Sequence, residues 1–320
     1  MDNTTASNLP ITTSMEPLAA TVLIPTSGDR ADVVRLSLAC ILNQSIQDIE
    51  VFIIGDGVEG ASRETLQDLA QNYERVKFFD RPKFVSRGEP YRHEALQEAR
   101  GRIVAYSCDR DLWLPHHLET LDAALREVDF AHTLEFIIPS KGPIHTPRQL
   151  DLSKPRHRNA MQPRMRQFNA LMAPGLSCTG HTLEAYNRLP EGWTQTPTSY
   201  ISDCYMWRKF STNPTIKTRT IGTATLLYFH RGRFPGISLE ERVNELTPWT
   251  ERVLNDPELY AEMLEHALEW IYFDRSDILD AYPHRVKHFF THYSQKSVEF
   301  VKRLRSIGLK GELRRRQGKD

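Results

Sequence analysis

Short apolar runs alternate with amphipathic stretches from Thr21 to Leu125, and this alternation narrows the fold more than any other feature. Thr21–Ile24 (TVLI), closed by Pro25, has the character of a buried strand. Thr26-Ser27-Gly28-Asp29 is turn chemistry, and Val34, Leu38, Ile41 and Leu42 then recur at helical spacing. A second strand, Glu50–Ile54, ends at Gly55-Asp56-Gly57. Ser62 can cap a helix with Leu66, Leu69, Ala70 and Tyr73 on one face. A third strand spans Val76–Phe79. Pro90 suits the first turn of a helix that Gly101 would end. A fourth strand, Ile103–Ser107, runs into Cys108-Asp109-Arg110-Asp111, and Pro115 opens a helix with Leu118, Leu121 and Leu125 inward.

Strands that alternate with helices imply an α/β fold, a mostly parallel sheet with helices on both faces. Ligands of such sheets bind beyond the carboxyl ends of the strands. Thr26, Ser27, Asp56, Asp80, Asp109 and Asp111 all stand just after expected strands and are the candidates for function.

The rest of the chain is less regular. Phe130–Pro139 reads as one more strand, residues 140–168 as a long basic mobile loop, Ser202-Asp203-Cys204 as a helix start, and Thr223–Phe229 as a strand ending at His230. From Leu239 the pattern is helical. Residues 1–18 read as a loose polar tail with no secretory signal.

Composition excludes several classes. Apolar residues make up 40% and charged residues 26%, which does not suit a disordered or collagen-like chain or a polytopic membrane protein. Lys plus Arg and Asp plus Glu are both 41, so nothing global calls for nucleic acid. Cys40, Cys108, Cys178 and Cys204 form no CxxC and read as reduced thiols of a cytoplasmic protein.

Two motifs compete for function. Gly55-Asp56-Gly57-Val58-Glu59-Gly60 is a literal GxGxxG between a strand and a helix, with Asp80 placed like a ribose acid. That pattern would suit an NAD-dependent oxidoreductase. However, Asp56 and Glu59 would set two carboxylates beside a pyrophosphate that needs bare backbone N–H groups. The second motif is Asp109-Arg110-Asp111. Two carboxylates one residue apart offer hard oxygen ligands to Mg²⁺ or Mn²⁺, and a divalent ion would make the same carboxylates attract a diphosphate. Leu112-Trp113-Leu114 would anchor that turn by burial.

In this order the residues resemble a known family. Ile24-Pro25-Thr26, Gln44-Ser45, Glu50–Gly57, Arg92 with Glu94-Ala95-Leu96, Gly101–Tyr106 and Asp109–Leu118 are similar to the opening of family 2 glycosyltransferases with the GT-A fold. The resemblance covers about residues 20–135, with Gly55 where the family often has a first Asp.

The resemblance implies a GT-A domain over 19–238, with 19–135 binding the nucleotide sugar and 136–238 forming the acceptor side. A helical extension would follow over 239–320. Pro25, Thr26, Ser27 and Asp56 would line the base and ribose pocket, with Arg92, Asp109 and Arg110 at the donor. Asp111 would bind Mn²⁺ or Mg²⁺, with His230 as a further ligand and Arg231 and Arg233 near the diphosphate. Asp203 would be the general base of an inverting transfer from a nucleotide-diphosphate sugar, most readily a UDP-sugar, to an acceptor hydroxyl. Gly180-His181 and Trp193 could form an acceptor wall, and the 140–168 loop could fold over the donor.

A sugar-phosphate nucleotidyltransferase would need a longer, Lys-bearing loop after the first strand. A non-catalytic sugar-nucleotide-binding protein stays open as an alternative. The acceptor would be a carbohydrate or a lipid-linked molecule. Residues 296–320 carry nine Lys/Arg against three Asp/Glu. The amphipathic stretch 296–316 suits either peripheral contact with an anionic membrane or packing on the domain.

Overall fold

The computed structural model describes residues 18–139, 142–147, 149–164, 173–229 and 237–272. His230, Arg231, Arg233 and the 296–316 stretch lie outside the described residues.

The expected alternation is present as β1 (Leu18–Thr26), α1 (Ala31–Leu42), β2 (Ile49–Asp56), α2 (Gly60–Asn72), β3 (Val76–Arg81), α3 (Glu89–Leu96) and β4 (Gly101–Tyr106). After the Asp109-Arg110-Asp111 turn come β5 (Leu112–Trp113), α4 (His117–Ala124) and β6 (Phe130–Ile138). Then follow α5 (Pro155–Arg164), β7 (Thr179–Thr182), α6 (Leu183–Asn187), α7 (Ser202–Thr212), β8 (Thr218–Phe229), α8 (Leu239–Asn255) and α9 (Leu259–Tyr272). These form one eight-stranded sheet of order β3-β2-β1-β4-β7-β6-β8-β5.

Strands β3, β2, β1 and β4 pair in parallel, with Ile24 opposite Ile53 and Val22 opposite Ala105. Their period-2 alternation divides two cores. Val22, Ile24, Val51, Ile53, Ile103 and Ala105 point to one face, which α1, α2 and α4 cover through Leu38, Leu66 and Leu121. Leu23, Phe52, Ile54, Val104 and Tyr106 point to the other, covered by α3, α6 and α7 through Leu96, Tyr186 and Trp207. A parallel sheet buried on both faces explains why these strands read as continuous apolar runs. The chain reverses strand order between β1 and β4, and the crevice at that switch point is where such sheets bind ligands.

Beyond β4 the sheet is mixed: β7 is antiparallel to β4 and β6, β5 is antiparallel to β8, and β6 and β8 are parallel. Helices α8 and α9 pack Leu246, Val253, Leu259 and Met263 against Phe136, Leu227 and Phe229. Among the described residues no helix is long and apolar enough to cross a membrane.

Two sequence expectations are corrected here. The 140–168 segment is not all loop, because it contains α5, which buries Met161 in the second core. His181 and Trp193 cannot form an acceptor wall, because they are 0% and 2% exposed and sit inside that core. The His181 ring stacks on Phe210, and Trp193 packs on Tyr106 and Trp207.

Candidate active site

The carboxyl ends of β1 and β2 and the start of α7 face one cleft of about 300 Å³. Pro25, Thr26, Ser27, Asp56, Arg92, Asp109, Arg110 and Asp203 all line it. Sequence positions 25 to 203 therefore converge on a single volume. The sequence did not single out Arg30, Lys83 or Arg87, and it read Ser202 only as part of a helix start; these four also line it. All four lie outside any apolar periodicity.

Each wall has a local cause. The turn after β1 brings Thr26 Oγ1 and Arg30 Nη1 to Asp109 Oδ2, at 3.3 and 3.2 Å. Asp109 is therefore a buried acceptor fixed from β1 rather than a loose turn residue. Asp56, at the end of β2, accepts from the Phe84 N–H at 2.6 Å and from Lys83 Nζ. Both donors come from the 82–88 loop, which crosses directly over Gly57.

Gly57 has φ +70°, and a Cβ there would lie 2.6 Å from Lys83 Cβ. This glycine serves the chain crossing, with Lys83 packed against it where the dinucleotide motif would need bare backbone. Asp80, the ribose acid of the dinucleotide reading, instead pairs with Arg63 at 3.0 Å.

The Asp109-Arg110-Asp111 turn is braced from behind. Gln44, at the end of α1, donates to the Leu114 carbonyl and accepts from the Leu118 N–H, both at 2.9 Å. Leu112, Trp113 and Leu114 are buried, and Trp113 Nε1 donates to the Ser177 carbonyl at 2.9 Å. The Gln44 and tryptophan signals in the sequence thus correspond to supports of the acidic turn.

Asp111 does not line the cleft. It is buried behind Asp109, with Oδ2 accepting from Ser177 Oγ and Oδ1 without a partner. Burial pushes its carboxyl up to about 6, against the pull of Arg110 and the Ser177 hydroxyl. On β6, Glu135 is pushed up to about 7 by burial and by Asp111. An orphaned, buried carboxylate oxygen next to a second acid is a donor set that fits a hard divalent cation. Among the described residues no group of three or more His, Cys, Asp and Glu side chains is arranged to hold a metal.

Positive charge gathers on the same rim. A second cavity, of about 340 Å³, shares Arg30, Asp109 and Arg110 with the cleft and adds Arg242 from the start of α8. Burial lowers the pKa of Arg242, and the guanidiniums of Arg110 and Arg30 lower it further. Arginines crowded to this degree favour an anion between them.

On the far wall, Asp203 is partly buried in the first turn of α7. Burial raises its carboxyl above the ordinary value, Arg92, Arg87 and Arg110 draw it down, and Glu89 pushes it up.

The glycosyl transferase family 2 profile matches residues 21–181, just over half of the chain. The chain belongs to glycosyl transferase family 2. It is a glycosyltransferase, and the profile spans β1, β2 and β4 and the acidic turn, whose residues line the cleft. Among solved structures, S. aureus TarS 1-349 in complex with UDP-GlcNAc is similar in fold. It is 12% identical, with TM-score 0.50, over 84% of this chain and 78% of that one. A mannosyltransferase from Pyrobaculum calidifontis, solved with GDP-Man and Mn²⁺, is 14% identical, with TM-score 0.47, over 88% of this chain and 86% of that one.

Proposed function

We propose that this glycosyltransferase inverts configuration as it moves a sugar from a UDP-sugar to an acceptor hydroxyl, with Asp203 as general base. The carrying observation is the single cleft in which Asp203 faces the β1 and β2 strand ends across Asp109 and Arg110. Family membership supports a nucleotide-sugar donor, and the UDP-GlcNAc bound to the TarS fold neighbour supports uridine as its base.

The nucleoside lies over Pro25, Thr26 and Ser27, with Asp56 accepting from the base or ribose. The diphosphate points toward Asp109, where Arg30, Arg110 and Arg242 bring positive charge. Asp111 would hold Mg²⁺ or Mn²⁺, with His230 a further ligand and Asp109 at the ribose or the metal-bound water. A divalent ion there would supply charge that stabilises the departing diphosphate. Asp203 takes the proton of the acceptor hydroxyl as it attacks the anomeric carbon from the face opposite the diphosphate. Arg92 stacks on Trp193 at 4.6 Å and keeps its guanidinium directed at this wall. The acceptor is a carbohydrate or lipid-linked molecule. The protein works in the cytoplasm, with residues 296–316 as a candidate contact to the inner membrane face.

The test is calorimetric titration of UDP, GDP and NAD into the full chain, with Mn²⁺ and with EDTA. UDP should bind with Mn²⁺ and weaken in EDTA and in Asp111→Ala. Metal-independent NAD binding would overturn the donor assignment, and tight UDP binding untouched by either change would overturn the metal role of Asp111.

A further inference from the structure

The wall that carries Asp203 contains a second carboxylate that donor binding does not require. Glu89, the first residue of α3, is 0% exposed. Its Oε2 accepts from the Arg87 N–H at 3.0 Å, and its Oε1 accepts from the hydroxyls of Ser86 and Ser202, both at 3.3 Å. The Ser202 hydroxyl also accepts from Arg92 Nη1 at 3.3 Å, and Arg92 Nη2 donates to the Arg87 carbonyl at 3.2 Å. Arg87, Glu89, Ser202 and Arg92 therefore close a ring of hydrogen bonds. The ring ties α3 to the first turn of α7, one residue before Asp203.

A fully buried carboxylate is a costly way to fasten two helices, and apolar contact would serve packing at least as well. The charge has a use if it governs its neighbours. Arg92 is the α3 cation that acts on Asp203, and a guanidinium paired with a base makes that base a poorer proton acceptor. Glu89 gives Arg92 a different counter-charge, relayed by Ser202.

We propose that Glu89 is the positioning residue for Asp203, fixing the first turn of α7 through Ser202 and engaging Arg92 so that the base carboxylate stays unpaired. The proposal rests on Asp203 being the base. The charged and titratable groups that face Asp203 are Arg92 and Glu89 from α3, Arg87 from the loop before it, Cys108 and Arg110 from the turn after β4, and Asp109 across the cleft. Glu89 and Asp109 are the carboxylates that can oppose the three arginines, and Asp109 is itself engaged by Thr26 and Arg30, which leaves Glu89, among the described residues, as the carboxylate on the wall of Asp203. Burial also works to raise the Glu89 carboxyl, but backbone donors and Arg92 outweigh it, and its pKa lies below the ordinary value. Glu89 therefore keeps its charge while Asp203 titrates.

Two readouts test this on the full chain. With ¹³Cγ-labelled aspartate, the resonance missing from Asp203→Asn reports the titration of Asp203 without any turnover. Glu89→Gln should move that midpoint to lower pH, because the like charge is gone and Arg92 is released. Turnover of UDP-glucose or UDP-GlcNAc with Mn²⁺ should fall about tenfold or more, as expected of a displaced catalytic group, while UDP affinity is kept. Should Glu89→Gln not fold, Ser202→Ala removes the relay and should give the same loss of turnover at unchanged UDP affinity. An unmoved Asp203 midpoint in Glu89→Gln, or wild-type turnover in Ser202→Ala, would overturn the proposal. If Asp203→Asn itself keeps normal turnover, the base assignment fails, and the titration still reports whether Glu89 acts on Asp203.

Discussion

The β3-β2-β1-β4 half and the β7-β6-β8-β5 half of the sheet place their polar groups differently. In the first, strand interiors are apolar apart from the Thr21–Glu50 hydrogen bond, and the candidate functional side chains sit at or just beyond strand ends, as Asp56 and Asp109 do. In the second, a thread of polar groups runs through the core and its members pair with one another, with His117 Nε2 left without a partner. Thr225 donates to Thr133 Oγ1 at 2.7 Å and so must accept from His117 Nδ1, also at 2.7 Å. His181 Nδ1 donates to the Thr182 carbonyl at 2.9 Å, leaving Nε2 to accept from the Tyr106 hydroxyl at 2.7 Å. That hydroxyl accepts in turn from Trp193 Nε1 at 3.0 Å. Polarity at a rim can serve chemistry, because water and ligand reach it. Polarity inside a core specifies one packing, because each unpaired group would be penalised.

This contrast can be broken at three strengths. The largest effect belongs to the rim: Asp203→Asn should lower turnover about 10²- to 10⁴-fold while leaving urea stability and UDP affinity near wild type. A large loss of stability in that variant would place Asp203 among the structural groups.

Next is the core thread. Thr225→Val keeps shape but strands His117 Nδ1 and Thr133 Oγ1, and should cost about 1–3 kcal/mol in urea unfolding. Donor affinity should not change. A neutral result would mean the thread is dispensable.

The smallest effect is a pH slope. Burial lowers His117 to about 3 and His132 and His181 to about 4, so all three fold neutral. Unfolding frees them to bind protons below about 6.5, so their contribution is full above that pH and is lost as pH falls toward 4. Raised Asp111 and Glu135 hold protons in the folded state and give the opposite slope. Lowered His116 adds to the histidines and raised Asp203 to the acids, and four histidines against three acids leave a net loss of stability between pH 6 and about 4.5. Urea midpoints across that range should fall, and amide exchange should quicken first around β6 and β7. A midpoint that rises on acidification would show that the acids dominate.

The same contrast explains what could be read from sequence. Strands β1 to β4 announce themselves through apolar runs such as EVFII, and their ends locate Thr26, Asp56 and Asp109 without further help. Strand β7 reads TGHT and has no such signal, because its hydrogen bonds to β4 and β6 make it a strand, not its side chains. Strand β5 has two residues, too few for any period. Helix α5 lies in a Pro-, Arg- and His-rich stretch where one buried side chain, Met161, marks the inward face. Glu89 and Ser202 gain their meaning only from a contact 113 residues apart in sequence. His181 and Trp193 resemble ligand-facing residues in sequence because a buried polar thread and a sugar site draw on the same side chains.

The crossing of the 82–88 loop over Gly57 has a kinetic consequence. Both oxygens of Asp56 already have partners, Lys83 Nζ and the Phe84 N–H. Each oxygen keeps a second lone pair, so the obstacle to a nucleobase is the loop itself and not lost acceptor capacity. A base that needs Lys83 out of its path binds only the fraction of molecules with the loop lifted, and apparent affinity is diluted by that fraction. Entry of UDP should therefore be gated: stopped-flow rates should level off at high nucleotide concentration, at the frequency with which Lys83 lets go. Rates that stay linear in UDP would mean that Asp56 is read with the loop in place.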